Sequence, residues 1–395
     1  MLKLPLPPGY FQCPPLSAAH ADEYMRQARD CATDIIQLAQ RTKSSADGWS
    51  VLLNQSDLKI HRGPDVGTSC LCVASMEIAG TIDEAAALFR MESTEEAKEY
   101  VERIGRDLAD AVLLYSLQRP SAARPLDKTH IAWTALTSPV KNLVLDRDYV
   151  LLECHHEFTQ PNTTSGTSRG WVRAMRSIDL ACCPDLKEYY GLQRAYTLGS
   201  GHVFWESTTR PGYIHAAYVM QASFGGNVTG KLTNFLKDMA MKRRCRSLLD
   251  IDRFVRENRL SATPFKSLDQ LQPKDGYRKC FQCLAIFGWL KTKTHCAKCG
   301  HVFCRSCIQL WNVKSHGVRS KIWACTHCGI GHSARTAAPP STAVVAKRSD
   351  GSHGSASSET SVISMDMMNL AFEEMQEWET HNANRSDCGP QVIRF

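Results

Sequence analysis

The chain has 395 residues, enough for two or three domains of roughly 100–200 residues each. With 43% hydrophobic and 22% charged residues it has the balance of a folded globular chain, which excludes a collagenous, fibrous or wholly disordered protein. It carries a formal charge of +7 and 17 cysteines, and no apolar run approaches the roughly 18 residues of a membrane-spanning helix.

The first residues, MLKLPLPPGYFQCPPLS, hold five prolines, one lysine and no continuous apolar block. They do not read as a signal peptide, so a cytoplasmic chain with mostly reduced cysteines is expected, and metal is a better default for those cysteines than disulfides. Residues 1–16 are expected to be an irregular lead-in. Ser17 can cap a helix whose apolar stripe is Met25, Ala28, Ile35, Ile36 and Leu38. Strand-like runs follow at 70–78, 143–158, 171–180, 203–207 and 213–224. Helical patterns occur at 82–91 and 94–104, and a long last helix is expected from Val228 to about Asn258. Its apolar side would be Leu232, Phe235, Leu236, Met239, Leu248, Leu249, Ile251 and Val255, with Lys242-Arg243-Arg244 on a solvated face.

Residues 261–274 read as a linker and 334–395 as a mostly disordered tail, Ser/Ala/Pro-rich over 334–361. Within that tail, 365–378 spaces Met365, Met368, Phe372, Met375 and Trp378 for a helix. It either binds a protein partner or packs back on the chain.

The segment between linker and tail holds the strongest chemistry. Eight of the 17 cysteines form four CxxC pairs: Cys280/Cys283, Cys296/Cys299, Cys304/Cys307 and Cys325/Cys328. Each pair sets two sulfurs on one tight turn, and a structural zinc takes four thiolates at the corners of a tetrahedron. Eight thiolates therefore imply two structural zinc ions. The interleaved spacing suggests a cross-brace, with pairs one and three on one ion and pairs two and four on the other. Both sites are full, which makes the metal a folding device for a module too small to hold itself by burial alone. His301 and His327 are adjacent spare ligands. From 274 to 335 there are eleven Lys and Arg against one acid. Bound zinc and thiolates leave the module at about +6.

These residues resemble the FYVE zinc finger, the family that recognises phosphatidylinositol 3-phosphate on endosomal membranes. The resemblance covers roughly 272–332 and rests on the eight-cysteine spacing and the run from Lys293 to Cys307. It implies a headgroup site near the third cysteine, where Lys293, His295 and Lys298 are the candidates. Thr292, Thr294 and Ala297 stand where the family carries basic residues or a second His. In FYVE-like fingers the loop between pairs one and two inserts into the bilayer. Here that places Trp289 and Leu290 at the tip, with Lys291 and Lys293 behind them and Phe287 in the mini-core.

Residues 17–260 resemble a START-type lipid-transfer domain. The features carrying this are the helix–strand–helix order, Asp146-Arg147-Asp148-Tyr149-Val150 opening a strand, Gly225-Gly226-Asn227 and the long last helix. The resemblance implies an α+β helix-grip body, a curved antiparallel sheet holding a C-terminal helix around an apolar lipid cavity. The FYVE-type finger follows at 275–333.

Enzymatic patterns fail on context. Gly166-Thr167-Ser168-Arg169-Gly170 fits G-x-S-x-G but lies in a polar stretch rather than between a strand and a helix. His155-His156 should alternate faces, one in the core and one exposed. No P-loop, dinucleotide fingerprint or H-E-x-x-H occurs. The expectation is a non-enzymatic lipid-binding protein, peripheral on anionic, phosphoinositide-bearing endosomal membranes, whose body takes a lipid or a partner. The alternative is a RING-like ubiquitin ligase or a zinc-dependent protein-interaction module. The four-residue gap between Cys299 and Cys304 argues against a RING, and basic charge without interleaved aromatic platforms argues against nucleic acid.

Overall fold

The computed structural model describes residues 3–55, 57–64, 69–90, 100, 105, 107–138, 145–162, 166–223, 231–288, 292–315 and 317–331. The sequence-predicted helix at 365–378, that at 94–104 apart from Tyr100, the Gly225-Gly226-Asn227 turn, Trp289, Leu290 and the tail lie outside the described residues. Among the described residues no helix is long and apolar enough to cross a membrane.

The Ser17 hydroxyl accepts the His20 N–H at 3.2 Å and so starts helix α1, Ala18–Gln40. Three strands follow, β1 (Ser50–Gln55), β2 (Leu58–Arg62) and β3 (Ser69–Ala79). Helix α2, Ile82–Ala87, opens with a reciprocal capping box between Thr81 and Glu84. The pattern predicted this helix to reach 91. It stops earlier because Leu88 and Phe89 bond to the carbonyls of Ala85 and Ala86, three residues back, and the tightened turn tucks Phe89 into the core. Then come β4 (Leu108–Gln118), β5 (Lys128–Leu136), β6 (Arg147–Asn162), β7 (Gly166–Ser177), the short β8 (Gln193–Arg194), β9 (Tyr196–Glu206) and β10 (Tyr213–Ser223).

The strands form one sheet in the order β1-β2-β3-β10-β9-β7-β6-β5-β4, every neighbour in this path antiparallel. Only β8 pairs in parallel, at the start of β6. There Asp148 accepts hydrogen bonds from the Trp133 indole at 2.8 Å and from Arg194 at 2.9 Å, which explains an acid opening a buried strand.

Side chains alternate across the sheet into two cores. On one face Val73, Ile131, Trp133, Leu152, Val172 and Val219 pack against Ala28, Cys31 and Ile35 of α1. On the other, Cys72, Ala74, Ile78, Trp171, Phe204 and Tyr218 meet α2 and the C-terminal helices. The body is therefore the α+β arrangement that was expected, an antiparallel sheet with C-terminal helices on one face.

The single last helix is in fact two, α3 (Lys231–Cys245) and α4 (Ser247–Ser261). At the junction Arg246 has ψ −12°, and Leu249 bonds to the Arg246 carbonyl three residues back. That tightened step turns Leu249 outward, 46% exposed, against expectation, while Leu248, Ile251 and Val255 are buried. The Lys242-Arg243-Arg244 run is not a solvated face either. Arg243 pairs with Asp107 at 2.9 Å, and all three residues are half-buried.

The lead-in has no regular structure but is pinned. Cys13 forms a disulfide with Cys182, and the Tyr115 hydroxyl donates to the Pro14 carbonyl at 2.7 Å. This pair is an exception to the expectation of mostly reduced cysteines. Cys183 lies beside it, its sulfur within 4.8 Å of both.

Beyond α4 the chain forms two small hairpins, β11 (Thr294–His295) with β12 (Val302–Phe303) and β13 (Ile308–Ser315) with β14 (Val318–Cys325), then a short helix, α5 (Thr326–Ile330). Helix α4 belongs to both parts. Its Ile251 and Val255 sit in the sheet-side core, while Leu260 sits among the cysteines and Trp311. The Glu257 carboxylate accepts the Asn312 N–H at 3.0 Å, and the Ser261 hydroxyl accepts that of Lys314 at 2.9 Å. Arg259 bonds both Glu84 of the body and the Ile330 carbonyl of the finger.

Candidate functional site

The eight cysteines of the finger fall into two groups of four. Cys280, Cys283, Cys304 and Cys307 form one, Cys296, Cys299, Cys325 and Cys328 the other, and within each group the sulfurs all lie within 4.8 Å of one another. A zinc–sulfur bond of about 2.3 Å puts tetrahedral sulfurs about 3.8 Å apart. The Cys283 and Cys304 sulfurs are 3.6 Å apart. Backbone N–H groups point at the sulfurs, Cys304 at Cys280 (3.4 Å) and Cys325 at Cys296 (3.3 Å), as suits thiolates. This donor set fits zinc, and all-cysteine fourfold sites leave no ligand position for substrate.

The three headgroup candidates are all engaged. Lys293 donates to the Lys274 carbonyl at 3.0 Å, with its ammonium 5.6 Å from the Phe287 ring. His295 Nε2 lies 2.5 Å from the Gln272 carbonyl. Lys298 reaches back to the Thr263 carbonyl, the Thr263 hydroxyl (2.7 Å) and the Phe265 ring (4.0 Å). It thereby ties the expected linker to the finger, as do the bonds from Lys266 N–H to the Ala297 carbonyl and from Gln272 N–H to the Gly300 carbonyl. Phe287 packs partly buried against the finger core, and His301 stacks on Phe281. Arg305, which sequence reasoning passed over, lies 4.2 Å over Trp323.

Sequence reasoning also missed a polar cluster inside the body, on the sheet face that α2 covers. Arg173 grips Glu153 with two parallel bonds of 2.8 and 2.9 Å and donates to the Tyr100 hydroxyl at 3.1 Å. His155 Nε2 lies 2.6 Å from Glu153. All these strand residues are buried, whereas His156 on the opposite face is half-exposed beside Asp127. Burial alone would raise the Glu153 carboxyl, but Arg173, His130 and His155 hold it well below the usual range. Burial pushes His155 down to about 4 despite Glu153. His202, 5% exposed, sits between the rings of Phe89 (4.9 Å) and Tyr218 (4.6 Å), and neither ring nitrogen has a hydrogen-bond partner. Burial, and then Arg173, keep it neutral.

A pocket of about 370 Å³ lies elsewhere, between α4 and β13, lined by Asp252, Arg253, Arg256, Gln309, Leu310 and Trp311. Gly166–Gly170 is part of β7, paired along β6 from Phe158 to Asn162, so Ser168 stands on a flat strand and not on a nucleophile elbow.

With this geometry in place, the class of the finger is plain: residues 270–332 match the family model of the FYVE zinc finger. No curated protein matches the chain. Solved structures similar to the chain include human StAR-related lipid transfer protein 5, at 13% identity and a TM-score of 0.45, over 59% of this chain and 97% of that one. Human STARD10 aligns at 14% identity and TM-score 0.39, over 55% of this chain and 78% of that one. The lipid transfer and protein localization domain of human StarD13 (DLC2) aligns at 12% and 0.37, over 60% and 98%.

Proposed function

We propose that this chain is a non-enzymatic, peripheral lipid-binding protein. Its finger holds two structural zinc ions, one on each group of four cysteines, and docks on anionic membranes from the cytoplasmic side. Phosphatidylinositol 3-phosphate on endosomes is the headgroup that the family resemblance favours. Lys293 and His295 would exchange their carbonyl contacts for phosphate oxygens, while Lys298 keeps the linker in place. Trp289 and Leu290 enter the interface. The body takes an amphipathic lipid whose polar group meets Arg173, Glu153 and the unpartnered His202.

The observation that carries this reading is the FYVE match over the segment whose eight sulfurs gather in two groups of four. The test is co-sedimentation of the zinc-loaded full chain with phosphatidylcholine–phosphatidylserine vesicles, with and without phosphatidylinositol 3-phosphate. Binding to both is expected, tighter with the phosphoinositide, and Trp289→Ala should weaken it without releasing zinc. A chain that sediments with neither vesicle sinks the proposal.

A further inference from the structure

The first two cysteine pairs of the finger have the same local design with one contrasting residue. Each is followed by a residue in the left-handed region, Leu284 (φ 57°) after Cys283 and Gly300 (φ 77°) after Cys299. Each closes the same way, Leu284 N–H to the Cys280 carbonyl at 3.0 Å and Gly300 N–H to the Cys296 carbonyl at 2.8 Å. Glycine is the residue that adopts this conformation without strain. At Gly300 it is also required by space, since a Cβ there would lie 2.9 Å from the Gln270 carbonyl. Among the described residues Leu284 is the only non-glycine with positive φ.

The strained leucine does not serve the core, for it is 66% exposed. Ile286 is also 66% exposed and Phe281 53%. Three large apolar side chains thus stand on one six-residue turn. The turn is held rigidly by the Cys280–Ala285 and Phe287–Arg278 backbone bonds at 2.9 Å and by the Lys279–Ile286 bridge. Phe281 is further fixed by stacking on His301 at 3.8 Å. At the base of the turn stand exposed Arg278 and Lys279. An apolar tip with two cations at its base, on a module of net positive charge, is complementary to an anionic bilayer: hydrocarbon meets the acyl boundary while lysine and arginine meet phosphates.

We propose that the first cysteine turn itself, through Phe281 and Leu284 together with Ile286, enters the membrane in addition to residues 289–290, and that Leu284 accepts backbone strain to stand there. This rests on the membrane reading above. It adds an apolar contact with the acyl boundary, while Arg278 and Lys279 respond to negative surface charge and not to headgroup stereochemistry.

The test uses the zinc-loaded full chain and phosphatidylcholine–phosphatidylserine vesicles without phosphoinositide. Leu284→Gly relieves the left-handed strain, so two zinc ions should stay bound and the finger's denaturation midpoint should not fall. Its vesicle partition should nevertheless drop about tenfold, about 1.4 kcal/mol. Ile286→Ser, which leaves the left-handed position untouched, should show a similar loss. Wild-type chain that binds no vesicle overturns the membrane reading itself. Wild-type chain that binds, with both variants binding equally well, overturns this inference alone. Self-association of the wild type that Leu284→Gly abolishes also overturns it, by assigning the tip to a second copy.

Discussion

In the body, Ile60, Trp133 and Leu152 lie buried in two cores on opposite faces of one sheet; in the finger, five of the buried cluster residues are the cysteines that face the two metal positions. The body is ordered by area removed from water. The finger combines eight sulfurs with a small core of Phe303, Ile308, Trp311, Val313 and Ile322 and one leucine borrowed from α4, Leu260. Polar groups follow the same division. In the body a fork of Arg173 on Glu153 is buried with its partners; in the finger Lys293 and Lys298 stay near solvent and spend their donors on loop carbonyls. A region held by burial can hide charge for a ligand within, whereas one held by metal leaves its charge on the outside for a surface.

The largest effect that could break this comparison is metal removal. Structural zinc contributes about 10–16 kcal/mol per ion in finger peptides. Chelation should unfold 270–332, read by amide exchange around Trp311 and Trp323, and leave protection of β6, β7 and β9 intact. Loss of both together would show that the body has no independent order. Next comes Arg173→Met, which strands a buried carboxylate and should cost about 3–5 kcal/mol in urea unfolding of the body. Adding Glu153→Leu should recover much of that loss, and a double variant no better than the single one would remove the fork from the account. The smallest effect is acidification. His155 titrates near 6.5 unfolded and at about 4 folded, so between these values the unfolded chain binds a proton that the folded chain refuses. Stability must therefore fall as pH drops from 6.5 toward 4, by up to about 1.4 kcal/mol per unit. His155→Gln should reduce that slope without abolishing it, since burial also holds His130 and His202 below their usual range, and the urea midpoint against pH measures it.

The finger was legible because its information is local: a CxxC pair is a turn and two ligands at once. Its outward turn was less so: Phe287 read as mini-core and is partly buried there, but nothing in the cysteine spacing marked Phe281 and Leu284 as exposed. In the body, β3, β6, β7 and β10 announce themselves as long apolar runs. Strand β4 does not, since register shifts near Asp110, Leu113 and Ser116 break its alternation. Strand β5 buries every second residue, Ile131, Trp133 and Ala135 among them, but Ala132 between Ile131 and Trp133 blurs the alternation in the sequence. The buried cluster was illegible for a physical reason. Glu153, Arg173 and His202 occupy alternate positions that look like a wet face, and only the fold reveals that α2 closes over them. The bend at Arg246 likewise depends on packing, because no proline or glycine marks it.

Helix α4 carries one more consequence. With Val255 locked in the sheet-side core, Leu260 in the metal module, and Arg259 bolted to both Glu84 and Ile330, the two halves share a strut and not a hinge. Whatever surface the smaller half lands on, the larger half arrives at a set attitude, like a keel fixed to its hull, and the same rim of the sheet is turned to that surface each time.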